Sequence, residues 1–184
     1  PILSAGEIED AHVGDRDHTW ARINLPGPNN LLVISVHLVT RNPRDRMLQG
    51  EAISEWLRQN KAQNDIVAIA GDFNTDTMNE PVFAALRPFV GADAAVGPDG
   101  DQNTNMSDRK PYDHVLVSPD WESFEQTITL GDKRYPKGMV VDTTEMSDAE
   151  LAALPGVQRG DARAAEMQHL AVVRDFRVTD GDPV

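Results

Sequence analysis

The sequence predicts an α/β fold built on one mixed sheet, and three observations carry that expectation. Two β-rich apolar runs lie at 31–38 and 65–70, an amphipathic helical stretch separates them, and later strand segments begin on polar residues rather than end on them. A strand, helix, strand order needs a crossover, which makes the two strands parallel neighbours. Their ends then lie on one rim of the sheet.

The elements follow in chain order. The opening Pro1-Ile2-Leu3-Ser4 lacks a starting Met and reads as the middle of a protein, so an upstream segment is expected. From 19 to 25, Trp20, Arg22 and Asn24 alternate with Ala21, Ile23 and Leu25 as a strand would, and the Pro-Gly-Pro-Asn-Asn run at 26–30 is a turn. The 31–38 run is almost continuously apolar, the pattern of a strand buried on both faces, and carries the polar His37 near its end. Between 45 and 60, Leu48, Ala52, Ile53, Trp56 and Leu57 recur at helical spacing and define a helix covering the sheet. The 65–70 strand is broken by Gly71-Asp72-Phe73-Asn74.

Residues 81–90 suit a short helix, and 97–110 form a polar loop. Strands are expected at 115–118 and 170–176, with Asp113 and His169 just ahead of them. If these run opposite to the first pair, their starts meet the ends of the others, and four residues distant in sequence converge. The acidic stretch 131–166 reads as an irregular surface excursion with one helix, opened by the capping box Ser147-Asp148-Ala149-Glu150 and stopped by Pro155-Gly156. One domain over 1–178 and a frayed tail over 179–184 complete the layout.

Composition narrows the function. With 184 residues, 40% hydrophobic and 26% charged, the chain can bury one sizeable core. A net charge of -13 argues against a broad basic surface for nucleic acid, so any polyanion contact must be local. The acidic, lysine-poor surface (Lys61, Lys110, Lys133 and Lys137) suits salty surroundings. The absence of cysteine excludes disulfides and thiolate metal sites and favours hard cations on oxygen and imidazole ligands. No run reaches the roughly 18 apolar residues of a membrane helix, and a membrane is not an expected partner.

Single residues here are ambiguous. A histidine at a strand end is more often structural than catalytic, and Gly-Asp-x-Asn is a common turn because Asp and Asn bond their own backbone. In combination they are more specific. Ser35-Val36-His37-Leu38, Gly71-Asp72-Phe73-Asn74, Tyr112-Asp113-His114-Val115-Leu116 and His169-Leu170-Ala171-Val172 resemble, in this order, the motifs of the endonuclease/exonuclease/phosphatase superfamily. The match spans Arg16 to Phe176.

That resemblance implies a DNase I-like αββα four-layer sandwich, of which this chain would be the C-terminal half to two-thirds, and a Mg²⁺-dependent nuclease of the extracellular bacterial type, secreted or periplasmic. Mn²⁺ or Ca²⁺ are the alternative ions. It implies catalytic roles for His37, Asp72, Asn74, Asp113 and His169, with Asp113 orienting His169. Asp72 and Asn74 would position water or metal, and Arg16, Thr104 and Asn105 would touch substrate phosphate. The metal set would be Asp72, Asn74 and Gln168.

Two departures bear on the metal. Gln168 stands where the family carries a carboxylate, so affinity there should fall. The family's main metal-binding Glu lies upstream, and Glu7 and Glu9 come too late in the pattern to replace it, so an N-terminal segment or second chain is an expected partner beside the nucleic acid substrate. A phosphatase or phospholipid phosphodiesterase on the same fold is the competing enzyme, because substrate choice lies in loops. A non-catalytic fragment is the competing reading of another class.

Overall fold

A computed structural model describes residues 1–10, 13–14 and 16–178. The expected tail at 179–184 lies outside the described residues. Five strands, β1 (Ile2–Ile8), β2 (His18–Asn24), β3 (Asn30–His37), β4 (Asp65–Asp72) and β5 (Asp113–Val117), form one sheet in that spatial order. Helix α1 (Pro43–Asn60) carries the chain from β3 to β4, and that pair is parallel as its crossover requires. The other neighbours are antiparallel, so β5 starts where β4 ends. β1 is a strand that patterning does not announce: its alternation of Ser4, Gly6 and Ile8 with Leu3, Ala5 and Glu7 has no clear apolar side.

Local chemistry sets the limits of α1. The Asn42 side chain accepts from the Asp45 amide at 2.9 Å, Pro43 takes the first turn where its missing N–H is not needed, and Asp45 and Arg58 complement the two ends of the dipole. The buried stripe of α1 is Arg46, Gln49, Gly50, Ile53, Ser54 and Leu57. It is therefore rotated from the expected face: Leu48, Ala52 and Trp56 are only half-buried, and three polar residues point inward. Gly50 has a packing reason, since a Cβ there would sit 2.9 Å from Val82 Cγ2 of α2 (Pro81–Leu86). Ile53 and Leu57 join Leu32, Ile34, Val36, Val67, Ile69 and Phe73 in the main core. At about 25 cal/mol per Å² of apolar area, each such fully buried side chain contributes roughly 1.5–3 kcal/mol.

The expectation that the 31–38 strand is buried on both faces is corrected. In β3 the residues Leu32, Ile34 and Val36 are sealed beneath the helices, whereas Ser35 and His37 are exposed and Leu31 and Val33 half-buried. The second face is covered locally, where Ile66, Ala68 and Val117 meet Trp121 of α3 (Pro119–Glu122) and Phe176.

Two further expectations need correction. The 131–166 stretch is more than a surface excursion. After β6 (Glu125–Gln126), strand β7 (Ile128–Leu130) pairs with β8 (Lys133–Tyr135), followed by β9 (Met139–Val141) and α4 (Asp148–Ala152). Together they close a separate small core of Leu130, Tyr135, Met139 and Met146. The capping box is present, with Ser147 and Glu150 bonding each other's backbone. The strand expected at 170–176 is two short ones, β10 (Ala171–Val173) on β9 and β11 (Asp175–Phe176) on β6, and neither joins the main sheet. Arg174 divides them because its buried guanidinium is held by Glu125 (2.7 Å) and the Val115 carbonyl (2.9 Å). Among the described residues no helix is long and apolar enough to cross a membrane.

Candidate active site

The sheet register builds the site. His37 faces Asp72 across β3 and β4, and Asp72 faces Asp113 across β4 and β5. Residues opposite one another point to the same face, so three polar side chains from three strands form a row. Gly71 makes the row possible: its φ is 138°, and a Cβ there would come within 2.1 Å of the Val36 carbonyl oxygen. The Leu38 amide then donates to the Asp72 carbonyl at 2.8 Å and extends the parallel pairing past His37.

Asn74 completes a tight turn around the Asp72 carboxylate. In the left-handed region at φ 52°, its amide donates to Asp72 Oδ1 at 2.7 Å. Its Nδ2 donates to Asp72 Oδ2 at 3.1 Å and to the Leu38 carbonyl at 2.7 Å. Asp72 is thereby fixed in orientation, and the Asn74 amide oxygen is the remaining group of that side chain that could face a ligand.

The two imidazoles approach the same carboxylate oxygen in different protonation geometry. Arg16 Nη1 lies 2.7 Å from His37 Nδ1. A guanidinium can only donate, so His37 Nδ1 is the acceptor and the ring proton sits on Nε2, which is 3.3 Å from Asp72 Oδ2. His169 Nδ1 donates to Asp113 Oδ2 at 2.8 Å, which leaves the Nε2 lone pair turned toward Asp72 Oδ2 at 3.9 Å. One ring thus offers a proton and the other a basic lone pair. Burial pushes the Asp113 carboxyl above its ordinary value of 3.8, an effect that the bonds from His169 and Thr104 only partly offset.

His169 reaches the row through the loop at 97–110 and not through the main sheet. The Leu170 amide donates to the Thr104 carbonyl at 2.7 Å, Asn105 and His169 form an isolated antiparallel bridge, and the Met106 amide donates to the Gln168 carbonyl at 3.2 Å. Thr104, 1% exposed, accepts from the Asp113 amide through Oγ1 at 2.8 Å. Asn105, 8% exposed, holds the Arg109 and Lys110 amides at 2.9 Å each and donates to Ser107 Oγ at 2.7 Å. Both side chains are engaged within the protein, behind the Asp113–His169 pair. Gln168 is exposed.

Ligand atoms of Asp72, Asp113 and His169 all lie within 4.8 Å of one another, so these three form a carboxylate and imidazole set able to hold a cation. Asn74 stands against Asp72 within this set. Sequence reasoning did not single out Tyr112, whose ring lies 5.8 Å from that of His169, or Lys110, whose ammonium is 5.8 Å from the Tyr112 ring and pairs with Asp76. The adjacency of Lys110 and Tyr112 to Asp113 was the available signal. Beside the site a groove of about 410 Å³ is lined by Ala70, Val115, Met167, Leu170 and Val172.

No family model and no curated protein matches the chain. Solved structures do. A functionally unknown conserved protein from Enterococcus faecalis V583 superposes with a TM-score of 0.52 at 20% identity. An endonuclease/exonuclease/phosphatase family protein from Bacteroides thetaiotaomicron gives 0.50 at 15%. The fold is DNase I-like. A mannosyl-6-phosphatase from Bacteroides thetaiotaomicron gives 0.51 at 14% identity. Each match covers 74% of this chain and 62% of the other, so the chain spans less than two thirds of the length of these structures. On this DNase I-like fold the polar row lies where β3 and β4 end and β5 begins.

Proposed function

We propose that the chain carries the acid–base machinery of a metal-assisted phosphodiesterase, a nuclease that cleaves DNA and RNA by direct attack of water. One observation carries the reading: His37 and His169 present an N–H and a lone pair toward the same Asp72 oxygen, with Asp113 orienting His169 from behind. Hydrolysis of a diester needs a base for the water, a donor for the phosphoryl or leaving oxygen, and positive charge at the phosphoryl group. In this reading His169 Nε2 takes the proton of the water. His37 Nε2–H serves a phosphoryl or leaving oxygen, and Arg16 both fixes the His37 tautomer and adds charge beside it. Thr104 and Asn105 act by positioning Asp113 and His169.

A hard cation fits the oxygen donors, and Mg²⁺, Mn²⁺ or Ca²⁺ would be held by the Asp72 carboxylate, with Asn74 and Gln168 offering amide oxygens, which leaves the His169 Nε2 lone pair free to act as the base. Bound there, the ion supplies charge stabilisation at the phosphoryl oxygens. Residues 1–178 would belong to one catalytic domain, exported to the periplasm or medium. Its partners would be nucleic acid and a further segment or chain that completes the metal site.

A second reading, a phosphomonoesterase, is favoured by the likeness to the mannosyl-6-phosphatase. The test is hydrolysis of plasmid DNA, RNA, bis-p-nitrophenyl phosphate and p-nitrophenyl phosphate with Mg²⁺ or Mn²⁺, by this chain and by any longer polypeptide that contains it. Diester cleavage supports the nuclease and turnover of the monoester alone supports the phosphatase. Inertness of both proteins toward all four substrates removes both readings.

A further inference from the structure

We infer that Arg46 is a positioning residue for the site, acting through the two loops that follow His37 and Asp72. The inference rests on the proposed hydrolytic function only for its kinetic readout. Arg46 sits in α1 with 1% of its surface exposed, the least expected place for a guanidinium, and every one of its donors is used. Nε and Nη2 bind the two oxygens of Glu80, itself 7% exposed, at 2.7 Å each. Nη1 donates to the carbonyls of Val39 (3.3 Å) and Thr40 (3.4 Å), in the turn that follows His37. Nη2 also donates to Asp76 Oδ2 at 3.4 Å, in the loop that follows Asp72 and Asn74.

One rigid, planar group therefore ties the loop after β3 to the loop after β4. The connection continues outward. Asp76 also pairs with Lys110 at 2.5 Å, and Lys110 lies over Tyr112 beside His169. Glu80 Oε1 accepts from the Asp76 amide at 2.6 Å, so the second loop is held at both its side chain and its backbone. Gln49, one turn further along α1, accepts from the Val39 amide at 2.9 Å and reinforces the first loop. A bidentate fork fixes angle as well as distance, which a lysine or an apolar pair does not. The β3–β4 register places His37 Nε2 3.3 Å from Asp72 Oδ2, and on this inference the two tethered loops hold the strand ends at that separation.

A stabilising role and a positioning role are separable here. Removing Arg46 alone strands Glu80 as a buried unpaired charge and should unfold or weaken the protein, whatever its part in catalysis. Replacing both members of a buried ion pair by apolar residues of similar volume is often neutral for stability. The experiment therefore compares wild type, Arg46→Met/Glu80→Met and Asp76→Asn. The last removes the negative charge of a half-exposed carboxylate and leaves Arg46 still paired with Glu80.

The double variant should keep the wild-type thermal midpoint, and its kcat on bis-p-nitrophenyl phosphate should fall about a hundredfold with little change in KM, as misplacement of reacting groups by an ångström does. Asp76→Asn should show a smaller fall of the same kind. Ring ¹H and ¹⁵N shifts of His37 should change in the double variant as its Nε2–H moves away from Asp72 Oδ2, a readout that survives even if no substrate is hydrolysed. A stable double variant with unchanged His37 shifts overturns the inference. If the double variant does not fold, an Asp76→Asn protein with wild-type kcat and His37 shifts does so too.

Discussion

Acidification should destabilise this protein through His114, a histidine that the proposed chemistry does not use. Its ring is 4% exposed, and packs edge-on against Phe73 and Phe83 at 5.2 and 5.1 Å between centroids. Nε2 donates to the Pro111 carbonyl at 2.8 Å and lies 3.0 Å from the Thr75 hydroxyl. Burial pulls its pKa from the ordinary 6.5 down to about 4. The unfolded chain therefore takes up the proton first as pH falls, so the stability is complete above pH 6.5 and is lost progressively down to about 4.

A tenfold difference in proton affinity between the folded and unfolded chain corresponds to about 1.4 kcal/mol, which puts the loss at about 3 kcal/mol at pH 4 and about 2.5 kcal/mol at pH 4.5. Urea unfolding at pH 7 and 4.5, on wild type and on His114→Gln, isolates this contribution from that of the carboxylates. Wild type should lose about 2.5 kcal/mol more than the variant over that interval. Equal losses in the two proteins would show that His114 is not the buried neutral group described. Because His114 follows Asp113 directly in β5, the same titration should loosen the site before the sheet melts.

Other outcomes follow from the same geometry. His169→Ala and Asp72→Ala should each lower kcat by about a thousandfold, the contribution of a positioned acid or base, and near-normal turnover would misplace the centre. Activity should decline as pH falls through the raised Asp113 value, because protonated Asp113 no longer holds His169 Nδ1–H as a charged acceptor; Asp113→Asn should remove that limb of the pH profile. Rates on DNA should fall only shallowly with salt, since the chain carries a net charge of -13 and few cations flank the site; a steep log–log slope would reveal a wider basic contact. His18 is 1% exposed and neither ring nitrogen has a hydrogen-bond partner among the described residues, so His18→Leu should raise stability by about 1 kcal/mol or more, most clearly below pH 6.

Much of the sheet and the order of the site were legible because apolar pattern and turn chemistry report burial directly. The β3, α1, β4 crossover and the break at Gly71 follow from period and glycine, and the antiparallel β5, which the pattern leaves conditional, brings His37, Asp72 and Asp113 into one row. The position of His169 was harder to derive. It depends on bridges from Thr104 and Asn105 and on pairing between β10 and β9, and β9 lies in a stretch whose three-residue strands leave no periodic trace. Short elements closed by tertiary contacts have too few residues to show a period.

The inward face of α1 shows the opposite failure. Hydrophobic periodicity places the buried stripe on Ile53 and Leu57, which are buried, but also on Leu48, Ala52 and Trp56, because it treats Arg46 and Gln49 as solvated, yet those two are residues the fold encloses. They could be enclosed only if every donor and acceptor found a partner, and the partners are the carbonyls, amides and carboxylates of the loops after β3 and β4 together with the Asp10 carboxylate after β1. A sheet whose strand ends must hold three polar side chains in register needs loops that do not drift, and apolar contacts alone, being non-directional, would not prevent drift. The polar interior of α1 and the polar row at the sheet end are therefore parts of one arrangement, which is why the residues that burial patterns misassign are the ones tied to the site.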